Sequence, residues 1–282
     1  MAKYRLLRER VVASELGRVC QMLIPDAAND QQLLRVHDAD YVHRVTSGRL
    51  TDHEVRKIGF PWSIGMVERS RRSVGATICA VRTAVAEGVS VNLAGGTHHA
   101  FCDQGQGYCV FNDVAVAVRD MQFCSPSSRV LVIDADVHQG NGTAEIFQAD
   151  DSVFTFSIHS AKSFPARKTV GDIEIALASG SDDDVYLAQL QSGLDSCPQD
   201  FDLAIYLAGA DPYEDDRLGR LKVTKAGLRQ RDRLVLNYCK RLGWPVAITM
   251  AGGYAPNIDD IVDIQFATIQ IAAGIYGSTD SN

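Results

Sequence analysis

The chain of 282 residues lacks most of the features that would place it in a specialised class. Its seven cysteines (Cys20, Cys79, Cys102, Cys109, Cys124, Cys197 and Cys239) are odd in number, scattered, and never spaced as C-x-x-C. That excludes a disulfide framework and predicts a reducing compartment, the cytoplasm. No apolar run approaches the roughly 20 residues of a membrane span, and residues 1–10 are too charged to serve as a secretion signal. Basic residues form no stripe. With 28 Lys and Arg against 35 Asp and Glu, the net charge is −7 and the pI about 5.5, which argues against direct binding to a nucleic-acid backbone. The cluster at 68–72 (ERSRR) falls within a predicted helix and reads as a solvated face. Internal repeats, low-complexity tracts and linkers are also missing; 125–128 (SPSS) is a loop. What the chain does have is 46% hydrophobic residues, enough for a sizeable core. A single domain over 1–282 is therefore expected.

Chemistry concentrates at the ends of apolar runs. Residues 130–142 read VLVIDADVHQGNG: a buried strand runs into Asp134, Asp136 and His138, and then into a glycine-rich loop. Alternate residues of a strand share a side, so two carboxylates and an imidazole can converge. Oxygen and nitrogen donors of this kind suit a divalent metal. Three further apolar runs end comparably. Residues 91–94 lead to His98 and His99, 203–208 to Asp211, and 246–250 to Gly252, Gly253 and Tyr254. Helical spacing over 6–16, 64–85, 112–121, 143–148, 182–191, 225–241 and 258–273 alternates with these strands and one more at 153–158. This predicts an α/β fold, a three-layer α/β/α arrangement around a mostly parallel central sheet. The carboxyl ends of parallel strands face one crevice, where ligands bind.

Each of these residues taken alone has an ordinary reading. Asp134 and Asp136 would be a solvated strand end, His98 and His99 loop or core histidines, and Tyr254, Tyr108 and Phe164 packed aromatics. His159 reads as a strand-end residue. His37, His43 and His53 lie in a polar stretch and are expected at the surface. Cys102 or Cys109, close to the histidine pair, is a candidate nucleophile without a recognisable base and orienting partner.

Together the segments GTHHAF, GYCVFND, DADVHQGNG, LAGAD and AGGYAPNIDD resemble the zinc-dependent histone deacetylase family, of the arginase–deacetylase fold. HQGNG and FPARK are similar to its class IV branch and bacterial relatives. The resemblance extends from about residue 4 to 273. It implies that Asp136, His138 and Asp211 bind the metal, that His98 and His99 are the tandem histidines, and that Tyr254 is the catalytic tyrosine. Asp134 matches the carboxylate behind the first histidine. Asn141 stands where class I members carry a second carboxylate. Gly107, Tyr108, Phe164 and Gly252 match the substrate tunnel, and Ser157 and Ile158 the backbone site of a structural K+. In one respect a departure from the family is expected: the additional strand and loop that would precede the LLRER helix are absent, unless Met1 is a misassigned start and the native chain is longer. A domain shortened at the N-terminus is expected, with a wider channel mouth and an exposed edge that favours a homo-oligomer.

The implied reaction is hydrolysis of an amide by a metal-activated water, releasing acetyl or longer acyl groups from lysine side chains. Two carboxylate ligands largely neutralise a divalent ion, so a separate base is needed. His99 is assigned to that task. His98, beside Asp134, is expected to stay charged. Zn2+ is the expected metal, with Fe2+ as the alternative for the same donor set. The substrate is an acyl-lysine protein or a small acylated amine such as an acylpolyamine. A non-catalytic scaffold of the same fold remains as an alternative. A dimanganese hydrolase ranks last, because Gln139 and Asn141 are not acids.

Overall fold

A computed structural model describes residues 2–277. Met1, on which the expectation of a shortened start turns, and residues 278–282 lie outside the described residues. The elements in chain order are α1 (Ala2–Ala13), α2 (Leu16–Val19), α3 (Asp30–Leu33), α4 (Ala39–Ser47), α5 (Asp52–Ile58), α6 (Ile64–Glu87), β1 (Val89–Asn92), α7 (Asp113–Cys124), β2 (Val130–Asp134), α8 (Asn141–Phe147), β3 (Val153–Ser160), β4 (Ile173–Leu177), α9 (Asp183–Asp195), β5 (Leu203–Leu207), α10 (Lys225–Arg241), β6 (Val246–Thr249) and α11 (Ile258–Gly277).

The six strands form one sheet in the order β1-β6-β5-β2-β3-β4, and every neighbouring pair is parallel. Strand alternation sorts the core into two layers. Leu131, Ile133, Ala204, Tyr206 and Ile248 pack against residues of α1, α9, α10 and α11. Val130, Val132, Leu203, Ile205 and Ala247 pack against α4, α6 and α7. This is the expected three-layer α/β/α architecture. From β2 the chain first builds outward to β3 and β4, then returns to lay β5 on the other side of β2. The sheet order therefore reverses between β2 and β5, the topological switch point at which α/β sheets open a crevice.

Helix α6 shows how local sequence sets an element. Ser63 caps its first turn by accepting from Met66 N, and Gly88, at φ +92°, ends it. Between them Val67, Val74, Ile78 and Val81 recur at helical spacing on the buried face.

Several elements differ from the sequence reading. The helix expected over 6–16 breaks after Ala13, because Ser14 Oγ donates to Val11 O and accepts from Leu16 N, competing with the main-chain ladder. β1 sits two residues earlier than expected, because the Asn92 side chain accepts from Ala94 N and turns the chain out of the sheet. β4 was not expected. It is an edge strand whose mostly half-buried residues give little alternation. The polar stretch before α6 holds α3, α4 and α5, with capping boxes at Asn29 and Thr51. His37 lies within this stretch and is buried, contrary to the surface expectation; His43 and His53 are exposed. Tyr41, Val42 and Val45 join the α6 layer and draw the chain inward. His37 is then satisfied by Phe101 O at 2.9 Å from Nδ1 and by Asn112 N donating to Nε2 at 3.0 Å. No helix of the described residues is long and apolar enough to cross a membrane.

Candidate metal and catalytic site

The loops leaving β2 and β5 meet at the switch point. β2 ends at Asp134, so Asp136 and His138 stand beyond it on a bend rather than in the strand. Side-chain bonds to the main chain preserve their convergence. Asp136 N donates to Asp134 Oδ1 at 3.1 Å and His138 N to Asp136 Oδ1 at 2.9 Å. Val137 N donates to Asp211 Oδ1 at 2.9 Å, which ties the β2 loop to the β5 loop. His138 Nδ1 then lies 3.0 Å from Asp136 Oδ1 and 3.4 Å from Asp211 Oδ2. One candidate ligand atom from each of Asp136, His138 and Asp211 lies within 4.8 Å of the others, and all three residues are buried.

Three observations fit a divalent cation there. Asp211 Oδ2 is buried without a hydrogen-bond partner among the described residues, a costly arrangement for a carboxylate oxygen. Space above the carboxylates is kept open by Gly252, where a Cβ would fall 1.9 Å from Asp211 Oδ2 and 2.6 Å from Asp136 Oδ2. The donors, two carboxylates and one imidazole, match hard-to-borderline metals. The electrostatics agree. Burial opposes charge on His138, yet the neighbouring Asp136 and Asp211 carboxylates lift it to about 10, so the two acids draw in a positive charge even as a proton. Burial and the neighbouring Asp136 push Asp211 up to about 7. Burial opposes ionisation of Asp136 too, but His98 and His138 outweigh it and hold that carboxyl well below its usual range.

His98 and His99 arrive on a loop after β1. The Asp113 carboxylate accepts from Gly96 N, Thr97 N, Thr97 Oγ1 and Thr77 Oγ1, and so fixes the turn before them. Two amides in the first turn of α8, those of Gly142 and Thr143, donate to His98 O at 3.1 Å each. The ring centroids of the two histidines are 4.1 Å apart. His98 Nδ1 bonds Asp134 Oδ2 at 2.5 Å, and His99 Nδ1 bonds Asn141 Oδ1 at 2.8 Å. Burial disfavours charge on His98, but Asp134 and Asp136 outweigh it and raise it to about 9. Burial lowers His99 well below its ordinary value, and the charges on His98 and His138 lower it further.

The rim is aromatic. Phe164 packs edge-on against His99, with centroids 4.8 Å apart, and Tyr108 packs against Tyr254 at 5.8 Å. At Gly107, φ is +55° and a Cβ would lie 2.7 Å from His99 Cδ2 and 3.0 Å from Phe164 Cε1, so only glycine fits. Tyr108 holds a left-handed conformation at φ +65°, a strain of roughly 1–2 kcal/mol for a residue with a Cβ. Tyr254 follows β6 and is 38% exposed. Burial of its inner part keeps the hydroxyl protonated far above neutral pH. Its hydroxyl makes no hydrogen bond among the described residues.

Two residues that the sequence did not single out hold this tyrosine. Lys3 Nζ donates to Gly253 O at 3.1 Å, and Tyr254 N donates to Asp216 Oδ2 at 2.6 Å. The same peptide unit is thus gripped at both ends. The cysteine reading is not supported. Burial raises the pKa of both thiols, well above the usual range for Cys109, whose Sγ faces Gly107 O at 3.5 Å, so neither offers a thiolate. His159 stands apart from the cluster, with Nδ1 3.0 Å from Ser157 Oγ and 3.5 Å from Glu174 Oε2.

Comparison with known proteins places this geometry. Residues 1–268 match the model of the histone deacetylase domain. The chain is 44% identical over 264 residues to an uncharacterized protein of Picosynechococcus sp., covering 93% of this chain and 88% of that one. It is 30% identical over 268 residues to histone deacetylase 2 of Arabidopsis thaliana, covering 86% of this chain and 68% of the relative. A histone deacetylase-like amidohydrolase of Pseudomonas aeruginosa is 28% identical over 271 residues, covering 89% and 70%. Among solved structures, an HDAC homolog complexed with SAHA superposes with a TM-score of 0.82 at 22% identity, over 98% of this chain and 77% of that one. The HDAC homolog from Aquifex aeolicus gives 0.81 at 21% identity, over 99% and 82%.

Proposed function

The chain belongs to the histone deacetylase family, and we propose that it is a metal-dependent amidohydrolase that removes acyl groups from lysine side chains or from other acylated primary amines. The observation that carries this reading is Asp211 Oδ2, buried without a hydrogen-bond partner and grouped with Asp136 and His138 where a side chain at Gly252 would intrude. Asp136, His138 and Asp211 would hold the cation, Zn2+ by its donor set and Fe2+ as the alternative. When bound, a divalent ion would polarise the amide carbonyl and acidify water beside it.

The remaining steps belong to the protein. His99 carries its Nδ1 proton toward Asn141 Oδ1, which leaves Nε2 with a lone pair. Neutral at working pH, His99 takes a proton from the attacking water and returns it to the leaving amine nitrogen. His98 is held cationic by Asp134 and steadies the negative charge that develops. The Tyr254 hydroxyl donates to the tetrahedral oxyanion, a contribution typically worth about 10²–10³ in turnover. Tyr108, Phe164 and Gly107 line the entrance, where aromatic faces suit the methylene stem of a lysine or polyamine. A structural K+ would be held by the backbone oxygens of Ser157 and Ile158, whose strand pairs with β2 beside Asp134.

Metal analysis of the purified protein, with hydrolysis of acetyl-lysine and long-acyl-lysine peptides and an acylated polyamine measured side by side, tests the reading. Asp211→Ala is expected to abolish bound metal and hydrolysis together while circular dichroism stays that of the parent. Full metal occupancy in that variant would remove Asp211 from the ligand set. A metal-loaded parent that cleaves none of the amides would make this a scaffold.

A further inference from the structure

Arg231, on α10, is fully buried and takes no part in the chemistry above. Its Nη1 donates to Gly209 O at 2.5 Å and reaches Ala135 O at 3.4 Å, while Nε donates to Asp232 Oδ1 at 2.9 Å. Asp232 is itself fixed. Tyr206 Oη on β5 donates to Oδ1 at 2.6 Å, and Thr268 Oγ1 on α11 donates to Oδ2 at 2.7 Å. The two carbonyls reached by Arg231 have particular addresses. Ala135 immediately precedes Asp136, and Gly209 stands two residues before Asp211. One guanidinium therefore bridges the two segments that leave the sheet at the switch point, each just ahead of a carboxylate that faces the cation site.

A buried ion pair is a poor device for stability alone. Desolvating two charges costs several kcal/mol, and apolar side chains of the same volume often serve as well or better. What a guanidinium supplies is a rigid planar fork. Here it fixes the orientation of two peptide planes whose oxygens have left the strand ladder. We propose that Arg231, braced by Asp232, is a positioning residue that sets the spacing of Asp136 and Asp211 and thereby the affinity and geometry of the bound cation. This rests on reading Asp136, His138 and Asp211 as cation ligands.

The test compares the parent with Arg231→Lys and with the double variant Arg231→Met/Asp232→Asn, which removes both charges and leaves neither unpaired. Zn2+ affinity is measured by chelator competition, the visible spectrum is recorded after loading with Co2+, and kcat and KM are determined separately. Loss of a residue that orients metal ligands typically weakens metal binding about 10- to 100-fold. That loss is expected in the folded double variant, together with an altered Co2+ spectrum and a fall in kcat at nearly unchanged KM. Arg231→Lys keeps the charge but not the fork and is expected to recover part of the affinity. A folded double variant with the parent's Zn2+ affinity and Co2+ spectrum overturns the inference. If the double variant does not fold, Arg231→Lys decides alone, and parent-like affinity and spectrum in it overturn the inference equally. A parent that takes up neither ion overturns the ligand reading, and this inference falls with it.

Discussion

His98 and His99 are adjacent in the chain, both almost fully buried, with ring centroids 4.1 Å apart, yet they hold their protons very differently. His98 stays charged up to about pH 9, whereas His99 is neutral well below its ordinary value. Desolvation is common to both and cannot explain the difference. The partner of Nδ1 can: a carboxylate at Asp134 for one, an amide at Asn141 for the other. A carboxylate stabilises imidazolium, while an amide oxygen orients the ring with little effect on its charge. The cation so fixed on His98 then helps to keep its neighbour neutral. Two titrating groups with affinities pushed apart in this way are the usual mark of divided acid and base roles.

The sharpest test is to remove each ring in turn. His99→Ala is expected to lower kcat/KM by roughly 10²–10⁴, the range for loss of a general base, and His98→Ala by clearly less. Equal losses would break the division of roles. Tyr254→Phe leaves both histidines intact and is expected to lower turnover by about 10²–10³ with metal content unchanged. Parent-like turnover would make the tyrosine a packing residue. A subtler change gives the second histidine the partner of the first. Asn141→Asp should raise the pKa of His99, so the acidic limb of the pH profile for kcat/KM moves to higher pH. At a fixed pH below that limb, the rate should drop about tenfold for every pH unit the limb has moved. An unmoved limb would show that the base is some other group.

A third buried histidine extends the comparison to stability. His37 has no carboxylate partner, and burial lowers it to about 4. In the unfolded chain it would titrate near 6.5. Between those values the unfolded state binds the extra proton. The stability linked to His37 is therefore fully present above pH 6.5 and is lost as pH falls toward 4, about 3 kcal/mol in all. Denaturant unfolding of His37→Gln should show a flatter pH dependence over that window, with kcat at neutral pH little changed. An identical slope would mean that His37 is not the group being titrated.

The part of the site that could be read from the sequence is the part that is local. Apolar strands ending in Asp134-x-Asp136-x-His138, Gly209-Ala210-Asp211 and Gly252-Gly253-Tyr254 announce themselves, because strand, turn and ligand lie within a dozen residues. Lys3, Asp216 and Arg231 could not be read this way. Each acts on main-chain atoms that folding brings close, and Lys3 reaches Gly253 from 250 positions away. Neither spacing nor side-chain type marks such a residue. β4 escaped because a half-exposed edge strand needs little alternation, and His37 because the groups that satisfy it, Phe101 O and Asn112 N, are brought to it only by folding.

The reversal of strand order between β2 and β5 also fixes when the protein becomes complete. A ribosome delivers β2, β3 and β4 in sequence, and each pairs with the next, so that half of the sheet can form as it emerges. Asp136 and His138 are present by then, but β5, whose following loop carries Asp211, begins almost seventy residues after β2 ends. Tyr254 comes later still, and β6 also supplies the neighbour of β1, whose loop bears His98 and His99. A nascent chain stalled before β5 would therefore expose the unpaired flank of β2 with only part of a cation site beside it. Uptake of the ion would report the docking of β5 beside β2, before β6 closes the sheet.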